Sequence, residues 1–490
     1  MKGLRRKKKK TRKIGKGDKK TLKQKEKERN RAWWIVGVFL YAFLLLPLIY
    51  SCKGSGEIKT LWGKGIVLGL VLFLSLAFLY RYRKDSFPQP SHLSLFTLIV
   101  VFIYYLAWGS LKFFHHYFFL PLPLLGMVLT PFFGSGVSFV AVILVSFLIS
   151  LINGLSWASF TYALIGGSVA TIGVSFTHRR MEVLRVGFVV GIFSALYLSA
   201  FGLIEGYKEK LWLIPSWGFL NGILWSMVTF GILPLLENIS GMVTDAKLLE
   251  LSDINHPLLQ RLRKEAPGTF QSSLMVGILA ESAAQAVGAN PLLARVGAYY
   301  HDIGKLKNPQ FYGENLSFFP RFRNIHDRVN PNLSALILTS HVKEGIHLGK
   351  KYKLPQAVLD IIAQHHGTTL TSFFYEKAKE IKGKEEVREE DFRYPGPKPM
   401  SKEAAIVMLA DAVEAASRTL ENPTTSRIRN LVERIINEKI QDGQLYDAPL
   451  SLKEIDLIKE SFIRTLSSIF HTRVEYPQKN QGEKSDKGNS

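Results

Sequence analysis

The chain has 490 residues, is 47% hydrophobic, and carries a formal net charge of +23 with a single cysteine. Its apolar residues crowd into positions 33–236 while 237–475 read as charged and helical, which excludes one water-soluble globular body and fits two or three domains. The lone Cys52 excludes an intramolecular disulfide and a thiolate zinc site, and the residues before it make a poor lipoprotein box.

The positive charge is concentrated at the start. Residues 1–32 hold 17 Lys and Arg against Asp18, Glu26 and Glu28, leaving a surplus of nine for the rest of the chain. Such a cluster attracts the phosphates of nucleic acid or of anionic lipid. Placed directly before an apolar stretch, it reads as a cytoplasmic basic arm of the kind the positive-inside rule expects, and no DNA or RNA partner is expected. The first apolar stretch, Trp33 to Tyr50, has no small-x-small cleavage site after it and reads as an anchor.

Eight runs are candidates to cross about 30 Å of hydrocarbon: roughly 33–50, 65–80, 93–110, 117–133, 137–152, 157–176, 186–204 and 212–235. Pro121, Pro123 and Pro131 make the fourth liable to be broken. With the N-terminus inside, Arg81, Arg83, Lys84, Arg179, Arg180 and Arg185 also fall inside, and Lys53, Lys59, Lys64, Lys112, Lys208 and Lys210 fall outside. The bias is modest, so the basic arm decides the orientation. An even number of spans then returns the C-terminal half to the cytoplasm. Only His115 and His116, at the end of a span, could be ionisable groups within the bilayer, which argues against a transporter or proton path and leaves anchoring or sensing.

From Thr244 onward apolar residues recur at helical spacing, predicting an all-helical domain. Asn290-Pro291 supplies an N-cap and a first-turn proline, and Leu292, Leu293, Val296 and Tyr299 or Tyr300 form the apolar face of the helix that follows. That helix ends in His301-Asp302-Ile-Gly304-Lys305, an imidazole beside a carboxylate able to bridge two cations. As a bare dipeptide it is equally a helix end with Gly304 as its stop. Downstream lie His341, then His365-His366 in Gln-His-His-Gly-Thr-Thr, then Asp411 in Leu-Ala-Asp-Ala-Val-Glu. Ser401 caps the Asp411 helix, whose Ile406, Met408, Leu409 and Val413 should be buried. A carboxylate among such residues needs a partner, and a metal would supply one. Together these groups are the imidazoles and carboxylates of a two-metal hydrolase.

Several motifs carry a family likeness: Leu248-Leu-Glu-Leu-Ser-Asp-Ile-Asn-His256, Ala266-Pro-Gly-Thr, Arg295-Val-Gly-Ala-Tyr-Tyr-His-Asp-Ile-Gly-Lys305, Ser340-His-Val-Lys-Glu-Gly345, Gln364-His-His-Gly-Thr-Thr369 and Tyr394-Pro-Gly-Pro-Lys-Pro399. With them the chain resembles the seven-transmembrane HD-domain phosphohydrolases of the PgpH type. The resemblance implies an all-α fold in which a multi-span helical membrane domain precedes a cytoplasmic HD domain. The expected division is a basic arm at 1–32, about eight spans within 33–236, the HD domain at 237–475 and a disordered tail at 476–490. The implied activity is hydrolysis of cyclic di-AMP to pApA at a two-metal site with a bridging hydroxide. Its cofactors would be two divalent ions, Mn2+ or Fe2+, and its other partner the lipid bilayer.

By the same pattern His301, Asp302, Asp411 and a further histidine would hold one metal, and Asp302, His341, His365 and His366 the other. His301, Asp302 and Lys305 are the expected catalytic residues. Lys305 would neutralise a phosphate oxygen, or else be a solvated basic residue. Arg393-Tyr394 would contact the nucleotide or form a structural turn, and His326 and His347 read as surface or packing residues.

Two departures stand out. The family usually places a large extracytoplasmic domain after its first span, where this chain has only about 14 residues, Ser51 to Lys64. In Phe270-Gln271-Ser272-Ser273-Leu274-Met275-Val276, Ser272 stands where the family has the further histidine, and a neutral hydroxyl is a weaker ligand than imidazole. That substitution sets two functions against each other: the phosphodiesterase, and a catalytically degenerate nucleotide receptor or scaffold. An enzyme acting on another nucleotide is a third.

Overall fold

The computed structural model describes residues 35, 39, 42–47, 49–50, 58–86, 90–114, 116–177, 179–206, 213–319, 324–383, 386–421 and 423–471. The readings for the basic arm, Cys52, His115 and the tail fall outside these residues. The chain divides into two compact units, residues 1–246 and 247–490.

In the first unit the described part of the 33–50 stretch is helical. After it come α1 (Ile58–Ser86), α2 (Pro90–Phe114), a 3-10 turn (Tyr117–Phe119), α3 (Leu122–Phe133), α4 (Ser135–Ile152), α5 (Trp157–Ser175), α6 (Glu182–Ile204) and α7 (Leu213–Ser240). Six of them, α1, α2 and α4–α7, are long and apolar enough to cross a bilayer. They turn large apolar side chains outward, among them Trp62 at 70% and Phe73 at 68% exposure. In water this would be an apolar patch far beyond what soluble proteins tolerate; hydrocarbon is the solvent it fits.

The run 117–133, expected to be liable to breakage at its prolines, does not form a long span. Pro121 and Pro123 lack the N–H a continuous helix would use, and Gly134 at φ +81° ends the helix. The remaining twelve residues of α3 rise about 18 Å, short of the bilayer core. Eleven of them are buried, so α3 is the centre of the bundle rather than a lipid-facing helix.

Close packing in this unit depends on glycine. A Cβ on Gly222 would stand 2.4 Å from the Gly191 nitrogen, so only a bare backbone lets α6 and α7 approach this far. Some of the polar groups inside tie segments together. Asn221 Nδ2 donates to the Leu120 carbonyl at 3.3 Å and the Tyr162 hydroxyl at 3.2 Å, and that hydroxyl donates to the Phe118 carbonyl at 2.9 Å, pinning the 3-10 turn. Near the end of α7, Glu237 forms a 2.7 Å ion pair with Arg180 and accepts the Thr244 hydroxyl.

The second unit is helical throughout: α8 (Asp245–Ser252), α9 (Pro257–Glu265), α10 (Pro267–Ala286), α11 (Pro291–Tyr300), α12 (Pro331–Lys351), α13 (Gln356–Gln364), α14 (Ser372–Lys382), α15 (Lys402–Ser417), α16 (Thr425–Gln441) and α17 (Leu452–His471). Among the described residues there is no strand, only an isolated bridge between Leu370 and Arg393. Asn-Pro starts two helices in the same way: Asn290 accepts the Leu293 N–H and Asn330 accepts the Leu333 N–H, each followed by a first-turn proline. The core joins α10, α11 and α15–α17 through Leu279, Ala283, Ala298, Ile406, Val432 and Phe462. Ile406, Met408, Leu409 and Val413 are all fully buried, and Ser401 accepts the Ala404 N–H as the cap of α15.

Candidate metal centre

The site begins where α11 stops. His301 is its last turn, and the chain bends at Asp302 into a 3-10 turn, Ile303–Lys307. Gly304 is not a left-handed helix stop. It is needed for approach: a Cβ there would lie 1.8 Å from the His341 carbonyl oxygen, so glycine lets this turn rest on α12 and brings Asp302 to His341.

Three imidazoles are oriented by one device. Nδ1 of His301, His341 and His365 lies 2.6, 2.7 and 2.8 Å from the carbonyl three residues earlier, Ala298, Leu338 and Ile362 respectively. A carbonyl only accepts, so Nδ1 carries the proton and the Nε2 lone pair faces the centre. His341 Nε2 and His365 Nε2 are 3.3 Å apart. Two inward lone pairs at that separation repel unless positive charge lies between them.

Asp302 joins two groups. Its Oδ1 is 3.2 Å from His341 Nε2 and 3.6 Å from His365 Nε2, while its Oδ2 is 3.2 Å from His301 Nε2. Asp411 Oδ1 is 3.5 Å from His301 Nε2, and Asp411 Oδ2 is 3.8 Å from His366 Nδ1. The residues therefore gather as Asp302, His341, His365 and His366 on one side and His301, Asp302 and Asp411 on the other, with each set's ligand atoms within 4.8 Å of one another. Ligands about 2.1 Å from a shared cation stand roughly 3.0–3.5 Å apart, which is close to these spacings. His301 Nε2 and Asp302 Oδ1 are buried without a well-directed hydrogen bond, so the donor set fits divalent cations both in chemistry and in unmet demand.

The electrostatics agree. Burial pushes the His341 pKa down to about 4 against the pull of Asp302, and burial, with other histidines crowded beside it, holds His366 well below the ordinary range. Both therefore present neutral rings. Burial also disfavours charge on His301, but Asp302 and then Asp411 outweigh it and raise its pKa well above the usual imidazole value. Burial would raise the Asp302 pKa, yet His301 and Lys305 hold it well below the ordinary carboxylate range. The carboxylates thus require positive charge at His301 Nε2, from a proton or a cation.

Lys305 is not a solvated basic residue but is paired with two carboxylates. Its Nζ is 2.8 Å from Asp302 Oδ2 and 2.8 Å from Glu314 Oε1. Glu314 Oε1 also accepts the Thr269 hydroxyl at 3.0 Å, and Asn315 Oδ1 caps α10 by accepting the N–H groups of Gly268 and Thr269. The Ala-Pro-Gly-Thr motif is thereby tied through Glu314 and Lys305 to Asp302.

Ser272 is buried on α10 and donates to Glu414 Oε2 at 2.7 Å, while Glu414 Oε1 accepts Arg418 Nε at 2.7 Å. Burial raises the Glu414 pKa against the opposing effects of Arg418 and Ser272. Gln271 is exposed and lies away from this buried cluster. After α13, Gly367 turns at φ +52°, and Thr369 N–H donates to the His366 carbonyl at 3.0 Å. Tyr394 packs on His366 with ring centroids 4.2 Å apart. Arg393 is held by Glu389, Asp442 and the Thr368 carbonyl, so of this pair only Tyr394 faces the histidines. His326 binds the Phe311 carbonyl and packs on Phe374, and His347 is exposed; neither joins the cluster.

Sequence reasoning missed Glu314, Asn315, Glu414 and Lys439. Of these only Glu414 leaves a local trace, as a second carboxylate one turn beyond Asp411 on the same helix.

Residues 58–244 match the family described as 7TM receptor with intracellular HD hydrolase, and residues 269–416 match the HD domain. Cyclic-di-AMP phosphodiesterase PgpH of Bacillus subtilis (strain 168) is 44% identical over 320 residues, covering 65% of this chain and 44% of that protein. The protein of the same name from Listeria monocytogenes serotype 1/2a (strain 10403S) is 33% identical over 428 residues, 84% of this chain and 58% of that one. The chain thus spans about half the length of these curated relatives. A crystal structure of the L. monocytogenes phosphodiesterase PgpH HD domain in complex with cyclic-di-AMP is 44% identical with a TM-score of 0.42, covering 45% of this chain and all of that one. The chain thus carries, in order, a segment that matches the family described as 7TM receptor with intracellular HD hydrolase and a segment that matches the HD domain.

Proposed function

We propose that the chain is a membrane-anchored, metal-dependent phosphodiesterase that hydrolyses cyclic di-AMP to pApA on the cytoplasmic face. The observation that carries this is Asp302, with one oxygen toward His341 and His365 and the other toward His301. Two divalent ions held by these sets, Mn2+ or Fe2+ by the mixture of imidazole and carboxylate, would supply a nucleophile from water at neutral pH and stabilise charge on phosphate and leaving oxygen.

The chain's own residues do the rest. Backbone carbonyls fix the tautomers of His301, His341 and His365, and Lys305 with Glu314 fixes the Asp302 carboxylate. Tyr394 and His366 offer an aromatic wall beside the centre. Hydrolysis adds water across one P–O bond of the ring, leaving a linear dinucleotide with a terminal phosphate. Supporting the cytoplasmic placement, the basic α5–α6 loop and the end of α7 lie together, since Arg180 pairs with Glu237.

A second reading, a receptor that binds the nucleotide without turnover, draws on Ser272: where the family resemblance implies an imidazole, this side chain is engaged with Glu414. The test is chromatography of products formed from cyclic di-AMP by the full-length, Mn2+-loaded protein in detergent, beside His301→Ala and Ser272→His. Appearance of pApA with the natural chain and its loss in His301→Ala supports the enzyme. Turnover confined to Ser272→His overturns it in favour of the receptor.

A further inference from the structure

Lys439, on α16, is a partly buried cation whose Nζ donates to the Thr369 hydroxyl at 2.9 Å and which has no carboxylate at ion-pair distance among the described residues. The other basic groups around the centre are committed: Lys305 to Asp302 and Glu314, and Arg393 to Glu389 and Asp442. Thr369 is part of the wall of the site. Its N–H donates to the His366 carbonyl, its carbonyl accepts the Tyr394 N–H at 3.0 Å, and the Tyr394 ring lies on the His366 ring. Lys439 therefore stands beside Thr369 at the edge of the wall formed by His366 and Tyr394, near enough for its charge to act on His366 and Asp411. Burial disfavours its charge, and the carboxylate that most favours it is Asp411 of the centre itself. A partly buried ammonium whose one protein partner is a neutral hydroxyl is a ready site for an anion.

We infer that Lys439 is a substrate-binding residue that takes a non-bridging oxygen of the second phosphate of a cyclic dinucleotide, the phosphate that is not cleaved. This rests on the phosphodiesterase reading above. A cyclic dinucleotide carries two phosphodiester anions; the metal ligands serve one, and the other needs a cation that is not already neutralised. Lys439 meets that need with three donors, of which Thr369 uses one.

The experiment compares the full-length, Mn2+-loaded protein with Lys439→Met and Lys439→Arg on two substrates: cyclic di-AMP, and bis(p-nitrophenyl) phosphate, which has one phosphodiester and no second phosphate. Bound metal is counted in each variant. The expected result for Lys439→Met is a KM for cyclic di-AMP raised about 10–100-fold, the scale of one charge-assisted hydrogen bond, with kcat, metal content and bis(p-nitrophenyl) phosphate hydrolysis unchanged and partial recovery in Lys439→Arg. An equal loss on both substrates, or a loss of metal, overturns the inference, because Lys439 would then support the centre rather than hold substrate. If the natural protein hydrolyses neither substrate, the phosphodiesterase reading fails, and calorimetric binding of cyclic di-AMP decides for Lys439: at least tenfold weaker binding by Lys439→Met upholds it, and equal binding overturns it.

Discussion

The two units handle polar groups in opposite ways. In the membrane unit the buried polar groups tie helices together: Asn221 donates to Tyr162 and Leu120 and Arg180 pairs with Glu237, while α6 and α7 touch through bare backbone at Gly191 and Gly222. In the HD unit, histidines and aspartates are gathered into the interior and left facing one another, with His341 and His365 lone pairs 3.3 Å apart. Buried polarity in the first serves packing; in the second it is a demand for cations, stabilised locally by backbone carbonyls and by Lys305.

That contrast can be broken at its strongest point first. Asp302→Ala removes the ligand common to both sets, so metal bound per chain should fall at both positions and turnover should drop by more than the roughly 100-fold typical of an outer-partner change. Metal analysis with an activity assay checks it; retention of a full metal complement would refute the shared role. In the membrane unit, Arg180→Met leaves Glu237 buried without its cation and should cost about 3 kcal/mol, read as a lower unfolding temperature in detergent with metal content unchanged. Chelation should act only on the HD unit, lowering its stability by about 2.7 kcal/mol relative to protein with metal at a hundredfold excess over Kd; calorimetry resolving the two units would reveal it. The smallest effect expected is from Gly222→Val, where a side chain meets the Gly191 backbone: roughly 1–3 kcal/mol of destabilisation by overpacking, again without loss of metal.

Much of the architecture was legible because it is local. Asn290-Pro291 and Ser401 announce their helices through caps that need only three residues to form, and the apolar flanks of Asp411 are buried as helical periodicity requires. The six candidate ligands could be picked out by chemistry, and the structure brings them together. What the sequence hid is long-range. Lys305 looks like a free cation until Glu314, folded back through three 3-10 turns, is seen beside it. Ser272 is only a missing histidine until Glu414, 142 residues on, is found at its hydroxyl. The 117–133 run passes for a span by hydropathy, and only its prolines hint at a short helix buried on nearly every side.

The most direct test of the account is a Mn2+ titration of the full-length protein followed by low-temperature electron paramagnetic resonance. A carboxylate shared between two cations predicts two Mn2+ per chain and an exchange-coupled spectrum that vanishes in Asp302→Ala. A single uncoupled Mn2+ per chain at saturation would contradict it.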